Sequence, residues 1–490
     1  MLDMTINEAG LARAVQRARE RNIIIPTLEQ MRHPERMPAP IVKRLASLGL
    51  WDLDPTNLFR ITWKNAPVAS GGGFGGVNHM VLPSSLTGVR ARIVLLVGKW
   101  FPTGAHKVGA AFGCLVPRLV TGQFDPTEQK AVWPSTGNYC RGGAYDSNLL
   151  GCESIAILPE GMSQERFDWL AAVAGETIKT PGTESNVKEI FDKCWELRAS
   201  GDKIMIFNQF DDMGNYLWHH EVTGPAMAEV IAATTADPRH FRGVVLSTGS
   251  GGTLASGDYL KALYPTVKVA ACEAAQCPTL LLNGFGEHRI EGIGDKHVPW
   301  VHNTKNTDMV IAVDDEIPMR LIRLFNEPEG RDYLVERGVD ADIVSRLDLL
   351  GISSVANTIA AIKFAKYYEL TEEDVVLTVA TDSMEMYGSR LEELTAERGP
   401  LDRATAAAAL ADLHGAALDR MEELTYYGRK RLHNLKYYTW VEQQGKTFQE
   451  IQAQWYDGNY WNAVPALAPQ VDKLIDEFNA RTGLLAELGA

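Results

Sequence analysis

From Arg92 to Thr381 the chain alternates short runs of Val, Ile and Leu with helix-like stretches, and this alternation limits the fold more than any other feature. The runs are RIVLLVG (92–98), AVWPST (131–136), SIAILP (154–159), KIMIF (203–207), FRGVVLST (241–248), VKVAACE (267–273), DMVIAVD (308–314) and DVVLTVAT (374–381). A strand that is apolar throughout must be covered on both faces, which predicts parallel α/β sheets flanked by helices. SSVANTIAAIKFAKYY supplies one such helix before the last run, and another is expected from Glu221 to about Ala236. The polar, glycine-containing stretch 208–215 reads as a break between two α/β halves. Beyond Gly399 the composition turns helical, and Tyr437, Tyr438, Trp440, Trp455, Tyr456, Tyr460 and Trp461 predict packing or a subunit interface there.

Charge and cysteine usage narrow the class. A net charge of -14 and the absence of a long Lys/Arg run argue against a nucleic-acid partner. The Arg429-Lys430-Arg431 cluster reads as a solvated helix face. Six cysteines show neither C-x-x-C pairs nor zinc spacing, so a reducing compartment and no metal are expected. No run reaches the roughly 20 apolar residues of a membrane span, and the charged N-terminus lacks the apolar core of a secretory signal. A cytoplasmic enzyme is expected.

Within KWFPTGAHKVGAAFG (99–113), Lys107 stands among small residues instead of on an obvious surface. Desolvation lowers the pKa of an amine and so makes it nucleophilic. Two glycine-rich stretches compete as phosphate loops: SGGGFGG (70–76) and STGSGGT (247–253). The second follows a strand and opens a helix, the context an anion loop needs. The first leads into VNHMVLPSS, which reads as irregular, and is expected to be structural or gating. Alone, the second loop fits a dinucleotide fold equally well, because Glu273 follows Gly251 by 22 residues. STGN (135–138) and TDS (381–383) also sit at strand ends, where open α/β sheets bind ligands. A phosphate loop plus a lysine in tight surroundings suggests a phosphorylated carbonyl cofactor held by that lysine.

Taken together these motifs resemble the tryptophan synthase β / cysteine synthase superfamily, the fold type II pyridoxal-phosphate enzymes. TGAHK is similar to the lysine motif of tryptophan synthase β chains. STGN and GSGGT resemble the asparagine and phosphate loops of cysteine synthases. IEGIGDKHVP (290–299) resembles their G-I-G segment and ATDSMEMY their strand-end serine motif. The resemblance spans about residues 80–390 and keeps the family's order. It implies pyridoxal 5′-phosphate bound between two doubly wound α/β domains. The expected layout is an N-terminal arm (1–88) on the large domain, a small domain (89–215) with the lysine and asparagine loop, a large domain (216–400) with the phosphate loop, and a helical extension (401–490). Lys107 would form the Schiff base and move the α-proton. His106, Asn138, Ser247, Gly249, Ser250, Gly251, Gly252, Thr253, Gly292 and Ser383 would hold the cofactor. In that set Asn138 meets the 3′-oxygen, Ser383 the pyridine nitrogen, and His106 the phosphate as a charge partner or simply a packing group. Ser135, Thr136 and Gly137 would bind the substrate carboxylate, and Tyr139 would crowd its side chain.

A serine at the pyridine nitrogen makes a weaker electron sink than a carboxylate. The expected reaction is therefore β-elimination or β-replacement on a small serine- or cysteine-like amino acid, through an aminoacrylate. Asp382 adjoins Ser383, and a shift of one residue would reverse that argument. Tryptophan synthase β chains carry an acid in the loop that here reads PSTGNYCRGG, which has none, so indole chemistry is disfavoured. Cys140 is expected to be buried and inert, and Asp295, Lys296 and His297 to line either a second-substrate contact or a turn. LVGKWFPTGAHKVGA is also similar to the β subunit of 2-amino-4-oxopentanoate thiolase, which joins alanine and acetyl-coenzyme A units with a small partner subunit. A cofactor-binding regulatory or scaffold subunit is the alternative of another class. The resemblance further implies a homodimer.

Overall fold

The structure is a computed structural model that describes residues 1–68, 72–201, 203–294 and 296–489. Ser70 and Gly71 of the first glycine-rich stretch, and Asp295, lie outside the described residues. Eleven strands among those described build two sheets.

In the larger sheet the order is β1 (His79–Leu82), β2 (Arg92–Val97), β10 (Val375–Ala380), β7 (Phe241–Ser247), β8 (Lys268–Ala274), β9 (Met309–Val313) and β11 (Met421–Glu423). Its interior from β2 to β9 is parallel, and β1 and β11 close the edges antiparallel. The smaller sheet is all parallel, in the order β5 (Glu176–Thr180), β4 (Ser154–Pro159), β3 (Lys130–Pro134), β6 (Ile204–Ile206). β4, β7, β9 and β10 are almost wholly buried, as strands covered on both faces must be. The helix Ile352–Tyr367 is buried from Ile352 to Ala365, the polar Ser353, Ser354, Asn357, Thr358 and Lys363 included.

Three expectations need correction. Strand β2 does not belong with the strands that follow it: Arg92 to Val97 pair in register with Val375 to Ala380, so a boundary at residue 89 puts it in the wrong sheet. That pairing is long-range, and nearness in sequence cannot reveal it. VNHMVLPSS is not irregular, since it contains β1, a four-residue edge strand that buries only Met80 and Leu82. The C-terminal extension is not solely helical, because β11 completes the large sheet beside β9.

The arm packs on more than the large sheet. β1 lies on that sheet, while the helix Glu8–Glu20 lies against the helices Lys107–Val120 and Ala468–Thr482. Arm and extension are stitched together where Asn479 bonds both the N–H (3.0 Å) and the C=O (2.8 Å) of Ile25. In the extension a reciprocal Thr447–Glu450 capping box starts the helix Phe448–Tyr456. Trp440, Trp455 and Trp461 are core residues there, whereas Tyr438 and Tyr456 are exposed. All six cysteines are buried, and none forms a disulfide among the described residues. No helix among the described residues is long and apolar enough to cross a membrane.

Candidate active site

Lys107 opens the helix Lys107–Val120 immediately after a tight turn. Thr103, a β-branched residue, is held there at φ 68°, a backbone outlier of the kind that gathers at functional sites. The lysine is half-buried, and its Nζ lies 3.0 Å from Ser250 Oγ and 3.4 Å from Gln209 Oε1. Burial lowers its ammonium to about 8, against a small opposing pull from Cys114 and Glu184. The amine thus sits beside the second glycine loop, as the motif order predicts.

Gly249, Ser250, Gly251 and Gly252 form the turn between β7 and the helix Leu254–Leu263, which Thr253 precedes at the N-cap. Among the described residues, the backbone N–H groups of Gly249, Ser250, Gly251 and Thr253 have no backbone acceptor. This cluster of donors at a helix N-terminus suits a phosphate. Asn215 braces the loop from outside, donating to Ser250 Oγ (3.1 Å) and to Gln209 O (2.9 Å). A Cβ on Gly252 would come within 2.1 Å of Asn215 Oδ1. Gly252→Ala is therefore expected to displace Asn215. At an overpacking cost of about 1–3 kcal/mol, cofactor affinity should fall about tenfold or more, as read by equilibrium titration of the apoprotein.

The asparagine loop meets the end of β10. Gly137, at φ 153°, precedes the helix Asn138–Leu149, and a Cβ there would strike the Arg166 side chain. Asn138 donates from Nδ2 to Asp382 Oδ2 (2.6 Å), and its other amide atom is buried without a partner among the described residues. Asp382 also accepts from Tyr387 Oη (2.7 Å). Burial pushes its carboxyl above the ordinary value, against Arg166, Tyr387 and Asn138. Ser383 is buried next to it on extended backbone and makes no capping bond to the short turn that follows. Gly292 lies across from Gly249 and beside Ser353, whose buried hydroxyl has no partner among the described residues. These unpartnered polar atoms, with the loop N–H groups and the lowered amine, fit pyridoxal 5′-phosphate.

Several expected roles do not match the geometry. The Ser247 hydroxyl donates to Asn357 Oδ1 (2.7 Å), and Asn357 Nδ2 in turn donates to Val379 O (2.9 Å). Ser247 thus ties β7 to β10 instead of facing a cofactor. Tyr139, one helical position past Asn138, turns into the core, where its ring meets Trp133 edge-on and its hydroxyl donates to Phe207 O (3.2 Å). It does not crowd a substrate. His106 is fully buried, stacked on Trp63 and edge-on to His219. Burial, helped by the Lys107 charge, pushes its imidazole well below the ordinary value, and its ring contacts are those of a packing group. Of the substrate loop, the Gly137 N–H bonds Ser135 Oγ (3.0 Å) and the Thr136 hydroxyl bonds Glu184. Cys140 is inert as expected: it donates to Gly137 O, and burial pushes its thiol up to about 12.

The sequence reading passes over three groups that complete the site. Gln209 bridges Lys107 and Ser135, with its Nε2 3.5 Å from Ser135 Oγ. The fully buried Arg166 pairs with Glu291 and donates to Tyr387 Oη at 2.9 Å. Glu184 reaches Thr136 from the loop after β5, a strand whose short polar stretch ETIKT gives little signal beyond the flanking Gly175 and Pro181-Gly182.

The geometry agrees with what the chain resembles. Residues 99–333 match the family model of the pyridoxal-phosphate dependent enzymes. A cysteine synthase of Staphylococcus aureus is 30% identical over 287 residues, covering 58% of this chain and 84% of that protein. Cystathionine beta-synthase of Saccharomyces cerevisiae is 25% identical over 315 residues, 62% of this chain and 58% of its own length. The crystal structure of O-acetyl serine sulfhydrylase isoform 3 from Entamoeba histolytica shares the fold, with a TM-score of 0.56 at 21% identity, over 69% of this chain and 93% of that one. The motif order, the lysine beside a glycine loop and these matches converge: the chain belongs to the pyridoxal-phosphate dependent enzymes.

Proposed function

We propose that the enzyme catalyses β-elimination or β-replacement on a small serine- or cysteine-like amino acid. The observation that carries this reading is the engagement of Asp382. Asn138 and Tyr387 both bond its Oδ2, beside the residue expected at the cofactor's 3′-oxygen, and its Oδ1 is packed against Gly351; on this reading Ser383 meets the ring nitrogen. A hydroxyl there, in place of a carboxylate, favours substrates whose β-substituent leaves as the α-proton is removed. The cysteine synthase and cystathionine beta-synthase relatives support the same class.

When bound, pyridoxal phosphate supplies the electron withdrawal that acidifies the α-carbon. Gly249 to Thr253 would hold its phosphate by backbone N–H groups, and Asn138 and Ser383 its ring. Lys107 removes the α-proton, and the low pKa of its amine suits it to act as a base near neutral pH. Ser135, Thr136 and Gly137 would orient the substrate carboxylate. Incubation with serine, O-acetylserine or cysteine should release pyruvate and ammonia, or give a β-substituted product when sulfide is added. If none of the three is consumed, the reading is wrong.

A further inference from the structure

The asparagine loop carries no acid, yet the folded site contains a carboxyl that reaches it from elsewhere. Glu184 lies in the segment between β5 and the helix Val187–Ala199 and is only 2% exposed. One of its oxygens accepts the Thr136 hydroxyl, and the other, Oε2, is buried with no hydrogen-bond partner among the described residues. Groups from every side act on it. Arg166 from the helix Gln164–Val173, Thr136, and the Gly292 N–H favour its ionised form, while Asp382 beyond β10 opposes ionisation. Glu184 also lies within electrostatic reach of Lys107 and of Tyr387. The carboxyl is thus bonded to the expected substrate loop through Thr136 and coupled to the Gly292 segment and to the lysine.

We propose that Glu184 is the proton donor to the departing β-substituent, and that it allows this site to use substrates with a poor leaving group such as the hydroxyl of serine. The proposal rests on the β-elimination or β-replacement reading above. In the step, Lys107 takes the α-proton and the Cα–H electron pair moves toward the α,β bond. The Cβ–O bond breaks with its electron pair going to oxygen, and the Glu184 carboxyl proton joins that oxygen, so water departs and a carboxylate remains. The Lys107 ammonium then holds the proton that restores the acid when the site resets. The environment matches the task. Burial pushes the Glu184 carboxyl up to about 7, so a large fraction is protonated at neutral pH despite Arg166. A carboxylate permanently ionised beside the expected substrate-carboxylate loop would repel the substrate, whereas a protonated acid does not.

The leaving group provides the test. Chloride departs without a proton, so β-chloroalanine bypasses the acid. Glu184→Gln keeps the volume and an oxygen acceptor for Thr136 but cannot donate a carboxylic proton. In the purified holoenzyme it should lower kcat/KM for serine by about 10²–10⁴-fold and leave β-chloroalanine unchanged. The serine profile should carry a descending limb as pH rises through the carboxyl, absent with β-chloroalanine and absent from the variant. Equal losses on both substrates, or no loss on serine, would overturn the proposal. If wild-type holoenzyme turns over neither amino acid, the β-chemistry reading falls and this proposal with it. If Glu184→Gln does not fold, Glu184→Met, which keeps the length of the side chain without the acid, should show the same selective loss on serine.

Discussion

Lys107→Ala should yield a folded protein without the visible absorption of lysine-bound cofactor, and turnover should fall by about 10²–10⁴-fold from the lost proton transfer alone. The fold should survive because the side chain is only half-buried and its recorded bonds reach Ser250 and Gln209, which are also held by Asn215. The same residue makes a pH prediction. An amine attacks a carbonyl only when neutral, and burial lowers this one to about 8. The rate at which apoprotein takes up cofactor should therefore climb as pH rises through about 8 and level off above it. An ordinary exposed lysine would keep climbing beyond pH 10. Stopped-flow absorbance after mixing with pyridoxal phosphate measures both effects. Retention of the absorption band in Lys107→Ala would refute the assignment.

Lys436→Met should weaken both the fold and cofactor binding, although Lys436 belongs to the extension beyond the residues that match the family model. Its ammonium is fully buried and donates to Trp300 O (2.9 Å), His302 O (2.7 Å) and Gln454 Oε1 (2.7 Å). Trp440 Nε1 grips the same segment through Val298 O (2.8 Å). That segment backs the glycine loop: a Cβ on Gly251 would lie 3.2 Å from the His302 Cβ. The extension also holds Asp211, near the Gln209 that touches Lys107, through a 2.8 Å ion pair with Lys446. Methionine fills the same space but leaves Gln454 Oε1 without its donor and removes one of two donors from each carbonyl, Trp300 O keeping Gln454 Nε2 and His302 O the Thr304 N–H. A buried orphan costs about 1–3 kcal/mol, so denaturant unfolding should register a loss of that order. Cofactor should dissociate faster from the variant, whereas a purely structural role would lower stability and leave the dissociation rate unchanged.

Much of the fold is legible in local chemistry. SIAILP and FRGVVLS become β4 and β7 because an unbroken apolar run has no other stable use in a parallel sheet. The strands that escape detection are the short ones at the edges, β1, β5 and β11, where half the residues face water and the periodic signal fades. Site residues divide along a similar line. Lys107, Asn138 and the Gly249–Gly252 turn are evident because backbone requirements and residue type coincide in one short motif. Ser247, Tyr139 and His106 sit inside the same motifs, but side-chain direction and burial assign them to packing, and a motif does not record direction.

The sequence by itself determined the fold class, and through its family resemblance the cofactor, because each depends on a periodicity or on contiguous motifs. Only the tertiary structure decided that β2 belongs to the larger sheet, that Asp382 is bonded to Asn138 and Tyr387, and that Glu184 enters the site. Apart from Asp382 and Tyr387, those contacts join residues distant along the chain, from 48 positions apart for Thr136 and Glu184 to 283 for Arg92 and Val375. Their energies arise from burial and from partners supplied by other segments, and these exist only once the two sheets have come together.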